Sequence, residues 1–139
     1  MISLNKETAF DLNDQERLKF WISEVIKEEG CEEGEINYIF CDDDYLHKLN
    51  VEYLDHDTLT DILSFDYSVG KELHGDIFIS VERVRENAKE FNTSFENELH
   101  RVMIHGVLHY CGYKDKTSDQ KDTMRALEDK HLKALAEMS

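Results

Sequence analysis

Apolar positions along this chain recur in some stretches every three to four residues and crowd in others into short β-branched and aromatic runs, and the changes of spacing divide it into elements. Leu18, Trp21, Ile22, Val25 and Ile26 share one face of a helix running from Asn13, which can cap its start, to about Glu29, with Gly30 placed to end it. Residues 35–41 read as a strand, and Asp42 or Asp43 can cap a following helix that reaches about Tyr53. Residues 60–67 and 74–80 read as two further strands, close enough for a hairpin through Ser68, Val69 and Gly70. Ser80 can cap a helix from Val81 to about Phe91. Thr93 with Glu96 forms a capping-box pattern for a helix that buries Phe95, Leu99, Val102 and Leu108 and reaches Cys111. Thr117 with Gln120 repeats that signature ahead of a last helix through Met124, Leu127, His131 and Leu135. The first ten residues read as a short irregular or strand-like start.

Strands early and helices late predict an α+β fold: a single domain in which a small mixed sheet of about four strands packs with about five helices. With 139 residues, 40% of them hydrophobic, the chain has material for one compact core. Proline is absent, so turns must rest on Gly, Asn, Asp and Ser. No apolar run approaches the roughly 18 residues of a membrane span, and no charged-then-apolar leader is visible, so a soluble cytoplasmic protein is expected. The three cysteines, Cys31, Cys41 and Cys111, form no CxxC pair, which argues against a disulfide framework.

Charge narrows the functional classes. With 31 acidic against 16 basic residues the formal charge is −15, which repels polyanions at long range. Any contact with nucleic acid must therefore rest on a local basic patch or on a metal. The run Asp42-Asp43-Asp44 could bind a hard cation, but acids at a helix start complement its dipole, and that reading is preferred.

The chemistry concentrates between His105 and Asp115. His105 and His109, four apart, lie one above the other on a helix and can aim their rings at one ion. Asp115 can join them only if the helix stops and the chain turns back, a stop that Gly112 can supply. Three protein ligands leave a fourth position open, the arrangement of catalytic rather than structural zinc. Asp115 is equally at home as a turn residue, and Cys111 is near enough to weigh as a ligand or as a small buried side chain. Arg101, four residues before His105 on the same stripe, can contact substrate phosphate or pair with a surface acid. The metal-spaced helix is expected to be central to the fold.

The blocks Thr60 to Phe65, Gly75 to Ser80 and His105 to His109, followed by Gly112-Tyr113, stand in the order and spacing of the YbeY family of bacterial ribosomal-RNA maturation endoribonucleases. With Asn50 to Tyr53 included, the chain resembles that family over roughly residues 36–132. The resemblance implies a zinc, one per chain, held by His105, His109 and Asp115; His105, His109 and, from its place on the helical stripe, Arg101 are the residues expected to carry catalysis. It implies single-strand-specific cleavage that matures the 3′ end of small-subunit ribosomal RNA, a part in late ribosome quality control, and ribosomal RNA and the small ribosomal subunit as partners. Asp61 and Ser64 fall near the cleft. Two positions depart from the family pattern: Asp115 stands where a histidine is usual, preceded by Lys114 instead of aspartate, and Leu54 stands where an arginine associated with cleavage is usual.

Two rival readings follow from the same residues. A non-catalytic assembly factor would use a structural zinc and offer its acidic surface to a basic ribosomal protein. A zinc peptidase would share the histidine spacing, but Gly106 fills the position of the glutamate base that such enzymes hold.

Overall fold

In a computed structural model, which describes residues 1–54 and 60–138, the β-branched and aromatic runs join into one sheet. The strands β1 (Ile2–Lys6), β2 (Glu32–Cys41), β3 (Ile62–Asp66) and β4 (Glu72–Ser80) lie in the order β1-β2-β4-β3. The first, second and fourth are parallel, with Ile2 opposite Ile36 and Tyr38 opposite Ile77. At the edge, β3 runs antiparallel to β4 and sets Ser64 opposite Ile77. Their hairpin loop is closed by reciprocal backbone hydrogen bonds between Val69 and Glu72, at 3.0 and 3.1 Å. Five helices complete the described residues: α1 (Gln15–Glu28), α2 (Asp43–Leu54), α3 (Val81–Glu90), α4 (Phe95–Tyr110) and α5 (Ser118–Glu137). The architecture is the α+β arrangement of a mixed four-stranded sheet with five helices.

Most caps form where the sequence puts them. Ser80 Oγ accepts from the Arg83 amide at 3.1 Å and Asp42 Oδ1 from the Tyr45 amide at 2.8 Å. Thr117 and Gln120 bond each other's backbone amides, both at 3.1 Å, completing the capping box. Asp43 instead accepts from Ser80 Oγ at 2.6 Å and from Arg83 at 2.9 Å, so the acidic run secures two helix starts.

Two caps are displaced by one residue. Asp14, not Asn13, precedes α1, and its left-handed backbone (φ 57°, ψ 40°) makes no side-chain cap, because such a bond is made from extended geometry. Ser94, not Thr93, caps α4 by accepting from the Asn97 amide at 3.1 Å, while the Thr93 amide closes the preceding turn on the Ala88 carbonyl at 2.9 Å.

Leu18, Trp21, Ile22, Val25 and Ile26 of α1 are all buried, as their periodicity predicts. They share one core with Tyr38, Ile77 and Ile79 of the sheet and with Leu99, Val102, Met103, Ile104, Val107 and Leu108 of α4. Each such aliphatic side chain contributes roughly 2 kcal/mol by leaving water. The polar tips buried with them are satisfied: Tyr38 donates to the Met103 carbonyl and Trp21 to the His131 carbonyl, both at 2.8 Å. A smaller cluster of Cys41, Leu46 and Leu63 packs α2 against β3 and β4.

Gly106 lets α4 pack tightly on the sheet. A Cβ there would lie 3.1 Å from Ile77 Cδ1 and 3.2 Å from Ile62 Cδ1. Position 106 thus faces the sheet, whereas His105 and His109 stay partly exposed beside it. The helix that bears the histidines is clamped along its length, so their position is set by the core.

Candidate metal centre

The end of α4 is built as its sequence suggests. Gly112, at φ 105°, ends the helix, with its amide on the His109 carbonyl at 3.0 Å and the Tyr113 amide on the Leu108 carbonyl at 3.1 Å. This double closure is the Schellman pattern that glycine permits. It turns the chain back so that Asp115 meets the two histidines.

Three donor atoms converge. His105 Nε2 lies 2.9 Å from His109 Nε2, and Asp115 Oδ2 lies 3.2 Å from the first and 3.3 Å from the second. Zinc bonds of about 2.05 Å at tetrahedral angles place neighbouring ligand atoms about 3.3 Å apart, so this triangle has nearly the size of one tetrahedral face. The opposite ring nitrogens are already committed. His109 Nδ1 donates to the Tyr113 carbonyl at 2.9 Å, and His105 Nδ1 bonds Glu128 Oε2 at 2.7 Å. A carbonyl only accepts, so His109 carries a proton on Nδ1, and its neutral ring presents a lone pair at Nε2. Two imidazole lone pairs and a carboxylate oxygen facing one another form a set that suits a divalent cation. His105, His109 and Asp115 are the group of His, Cys, Asp and Glu side chains among the described residues that could hold one.

Cys111 caps α4 but stands outside this group. Burial pushes its thiol well above the ordinary cysteine range, helped by a hydrogen bond with Cys31 and by the nearby Glu29 charge. All three cysteines are free thiols.

The model of the family described as Endoribonuclease YbeY matches residues 2–136. The chain belongs to the YbeY endoribonuclease family. It is 62% identical over 132 residues to the Endoribonuclease YbeY of Flavobacterium johnsoniae, covering 95% of each chain. Identity to the protein of that name from Flavobacterium psychrophilum is 60% over 133 residues, covering 96% of this chain and 95% of the relative. The solution structure of a Thermotoga maritima protein superposes with a TM-score of 0.71 at 31% identity, covering 97% of this chain and 89% of that one.

In this YbeY family member two of the three donors, His105 and Asp115, line a cleft of about 380 Å³. Thr60, Asp61 and Ile62 form one wall and α4 and α5 the other, so Asp61 lies where the resemblance places it. Ser64 is exposed on β3 but does not line the cleft. Arg101 is only 16% exposed and spends Nη1 on Glu128 Oε1 at 2.9 Å and Nη2 on Asp129 Oδ1 at 2.6 Å. It reaches His105 through Glu128. Leu54 ends α2, and its side chain lies outside the described residues.

Burial raises the Asp61 and Glu98 carboxyls above the usual range, and for Glu98 the Asp61 charge adds to it. For His105 burial opposes the charged ring, but the Glu128 hydrogen bond and the charges of Glu128, Asp115 and Asp61 outweigh it and raise its pKa.

Sequence reasoning missed the supports of the centre. Glu128, 7% exposed, holds His105, and Tyr113 anchors the loop twice, by its carbonyl to His109 and by its hydroxyl to Glu29 Oε1 at 2.7 Å. Glu29 also bonds the buried His131 at 2.8 Å. The signal for Glu128 was its burial: an acid on the apolar face of α5, four residues after Met124 and three before His131.

Proposed function

We propose that this chain is a metal-dependent endoribonuclease that cuts single-stranded RNA and matures the 3′ end of small-subunit ribosomal RNA. The reading extends to late ribosome quality control in the cytoplasm, with the small ribosomal subunit as partner. One zinc per chain would be held by His105, His109 and Asp115. The observation that carries the reading is the convergence of those three donor atoms at the wall of an open cleft, in a chain whose relatives are named endoribonucleases.

Bound zinc supplies Lewis acidity toward a phosphoryl oxygen and lowers the pKa of water toward roughly 7. The chain's own residues do the rest. Glu128 fixes the His105 ring and the Tyr113 carbonyl fixes the His109 ring, so both Nε2 atoms are oriented before metal or substrate arrives. Asp61 and Glu98 are the cleft carboxyls able to hold or release a proton, and burial moves both toward the pH at which a general base works best. They stand in for the base that position 106 lacks. A cleft of this size suits a single strand, whose phosphates and unstacked bases can enter it.

The rivals fit less well. A structural zinc is closed by four protein ligands, whereas the side chains of His109 and Asp115 are 31% and 38% exposed and the group numbers three. A peptidase needs a base beside the first histidine, and the sheet occupies that space.

Elemental analysis of protein purified without added metal should give near one zinc per chain, lost on combining His109→Ala with Asp115→Ala. Purified protein should cut a precursor ribosomal RNA, and His105→Ala should abolish the cut. Zinc retained in the double variant, or equal cutting by His105→Ala, would overturn the reading.

A further inference from the structure

The cleft is lined by two arginines, Arg101 and Arg125, in very different states. Arg101 is bound at both ends by Glu128 and Asp129 and has little guanidinium left to offer. Arg125 lies on the exposed face of α5 and makes no hydrogen bond or ion pair among the described residues. It precedes Glu128 by three residues, so its Cα lies about 4.5 Å nearer the metal loop than that of the glutamate holding His105. It lines the cleft together with Glu98, a buried residue of α4, and with His105 and Asp115.

We propose that Arg125 is the phosphate-binding residue of this cleft, holding a substrate phosphodiester beside the metal centre, while Arg101 is a positioning residue that acts on His105 through Glu128. This rests on the endoribonuclease reading above. The chemistry favours the division. A guanidinium presents paired donors that match two phosphate oxygens, but only if carboxylates have not already taken them. A chain of charge −15 gains nothing from long-range attraction to RNA, so a single free cation at the site has more influence than it would in a basic protein.

The test separates binding from cleavage. Association of a short single-stranded RNA with methylated 2′-hydroxyls, which blocks attack by the neighbouring hydroxyl, is followed by fluorescence anisotropy across a salt series. Arg125→Ala should weaken binding roughly tenfold and reduce the slope of log K against log salt by about 0.7, the share of one phosphate on a single strand. Arg125→Lys should keep most of the slope while losing part of the affinity. Zinc content and the urea midpoint should stay at wild-type values, and KM for unmodified RNA should rise with little change in kcat. Arg101→Ala should do the reverse, lowering zinc affinity and kcat and leaving the salt slope unchanged.

Unchanged affinity and slope in Arg125→Ala, or loss of the slope in Arg101→Ala instead, overturns the proposal even where wild-type protein cuts RNA. Wild-type protein that binds RNA through Arg125 but never cuts it sinks the nuclease reading and leaves the phosphate site standing. Failure to bind RNA at all rejects the phosphate site.

Discussion

Removing Glu128 should damage the metal centre more than any other change outside the three ligands. Its carboxylate, 7% exposed, takes His105 Nδ1 at 2.7 Å on one oxygen and Arg101 Nη1 at 2.9 Å on the other. Glu128→Ala leaves the His105 ring free to rotate and strips a guanidinium that is only 16% exposed of one of its two carboxylates. Breaking a buried pair by deleting one partner costs about 3 to 5 kcal/mol, and the surviving Asp129 contact puts the expected loss near the lower bound, about 3 kcal/mol. Deleting the carboxylate behind a metal-binding histidine costs roughly 10- to 100-fold in metal affinity. Glu128→Gln keeps one carbonyl oxygen, enough for His105 or Arg101 but not both, so a loss of roughly tenfold in affinity and about 1 to 2 kcal/mol in stability is expected. Urea unfolding of metal-free protein reads the stability, and competition with a chromogenic zinc chelator reads the affinity. Zinc affinity within about twofold of wild type in Glu128→Ala, alongside reduced stability, would show that Glu128 braces the helices without orienting the ligand, and the reasoning would fail.

Three further outcomes follow from burial. Gly106→Ala should be close to neutral in urea unfolding, because about 1 kcal/mol of helix propensity offsets contacts of 3.1 and 3.2 Å with mobile isoleucine methyls. Gly106→Glu should lose more than about 3 kcal/mol by driving a carboxylate into Ile62 and Ile77, and wild-type stability in that variant would show that the position does not face the sheet. Glu98→Gln should stabilise the fold at pH 7 by about 1 kcal/mol. Burial, Asp61 and Glu128 raise the Glu98 carboxyl against the opposing pull of Arg101 and Arg125. A raised folded pKa favours folding fully below the unfolded value near 4.3, and that contribution is lost as pH rises through the folded value. The gain from the amide should therefore fade as pH drops toward 4, and an unchanged gain across that window would exclude the carboxyl as its source.

How much of this was legible in the sequence depended on the range of the interaction. Leu18 to Ile26 showed their buried face by spacing alone, and the HxxxH pair with Gly112 showed the turn that brings Asp115 to the two histidines, because a helix and its closure are local events. The one-residue shifts at Asn13 and Thr93 are local too, but composition does not decide which of two adjacent cap-forming residues stands at the helix start. The contacts across the fold were out of reach. Arg101 meets Glu128 across 27 residues, and Tyr113 meets Glu29 across 84. Helical spacing placed Arg101 on the histidine stripe correctly, yet only the docking of α5 shows that carboxylates hold its guanidinium.

That docking bears on how so acidic a chain can work on a polyanion. Two neutral histidines and the Asp115 carboxylate would leave a zinc held there one unit less positive than three histidines would, weakening its pull on a phosphoryl oxygen. Arg101 offsets little of this, since Glu128 and Asp129 take up its charge. Arg125 can offset it, because it lines the same cleft with no partner among the described residues. The local balance of the cleft, not the charge of −15 over the whole chain, then sets its affinity for RNA.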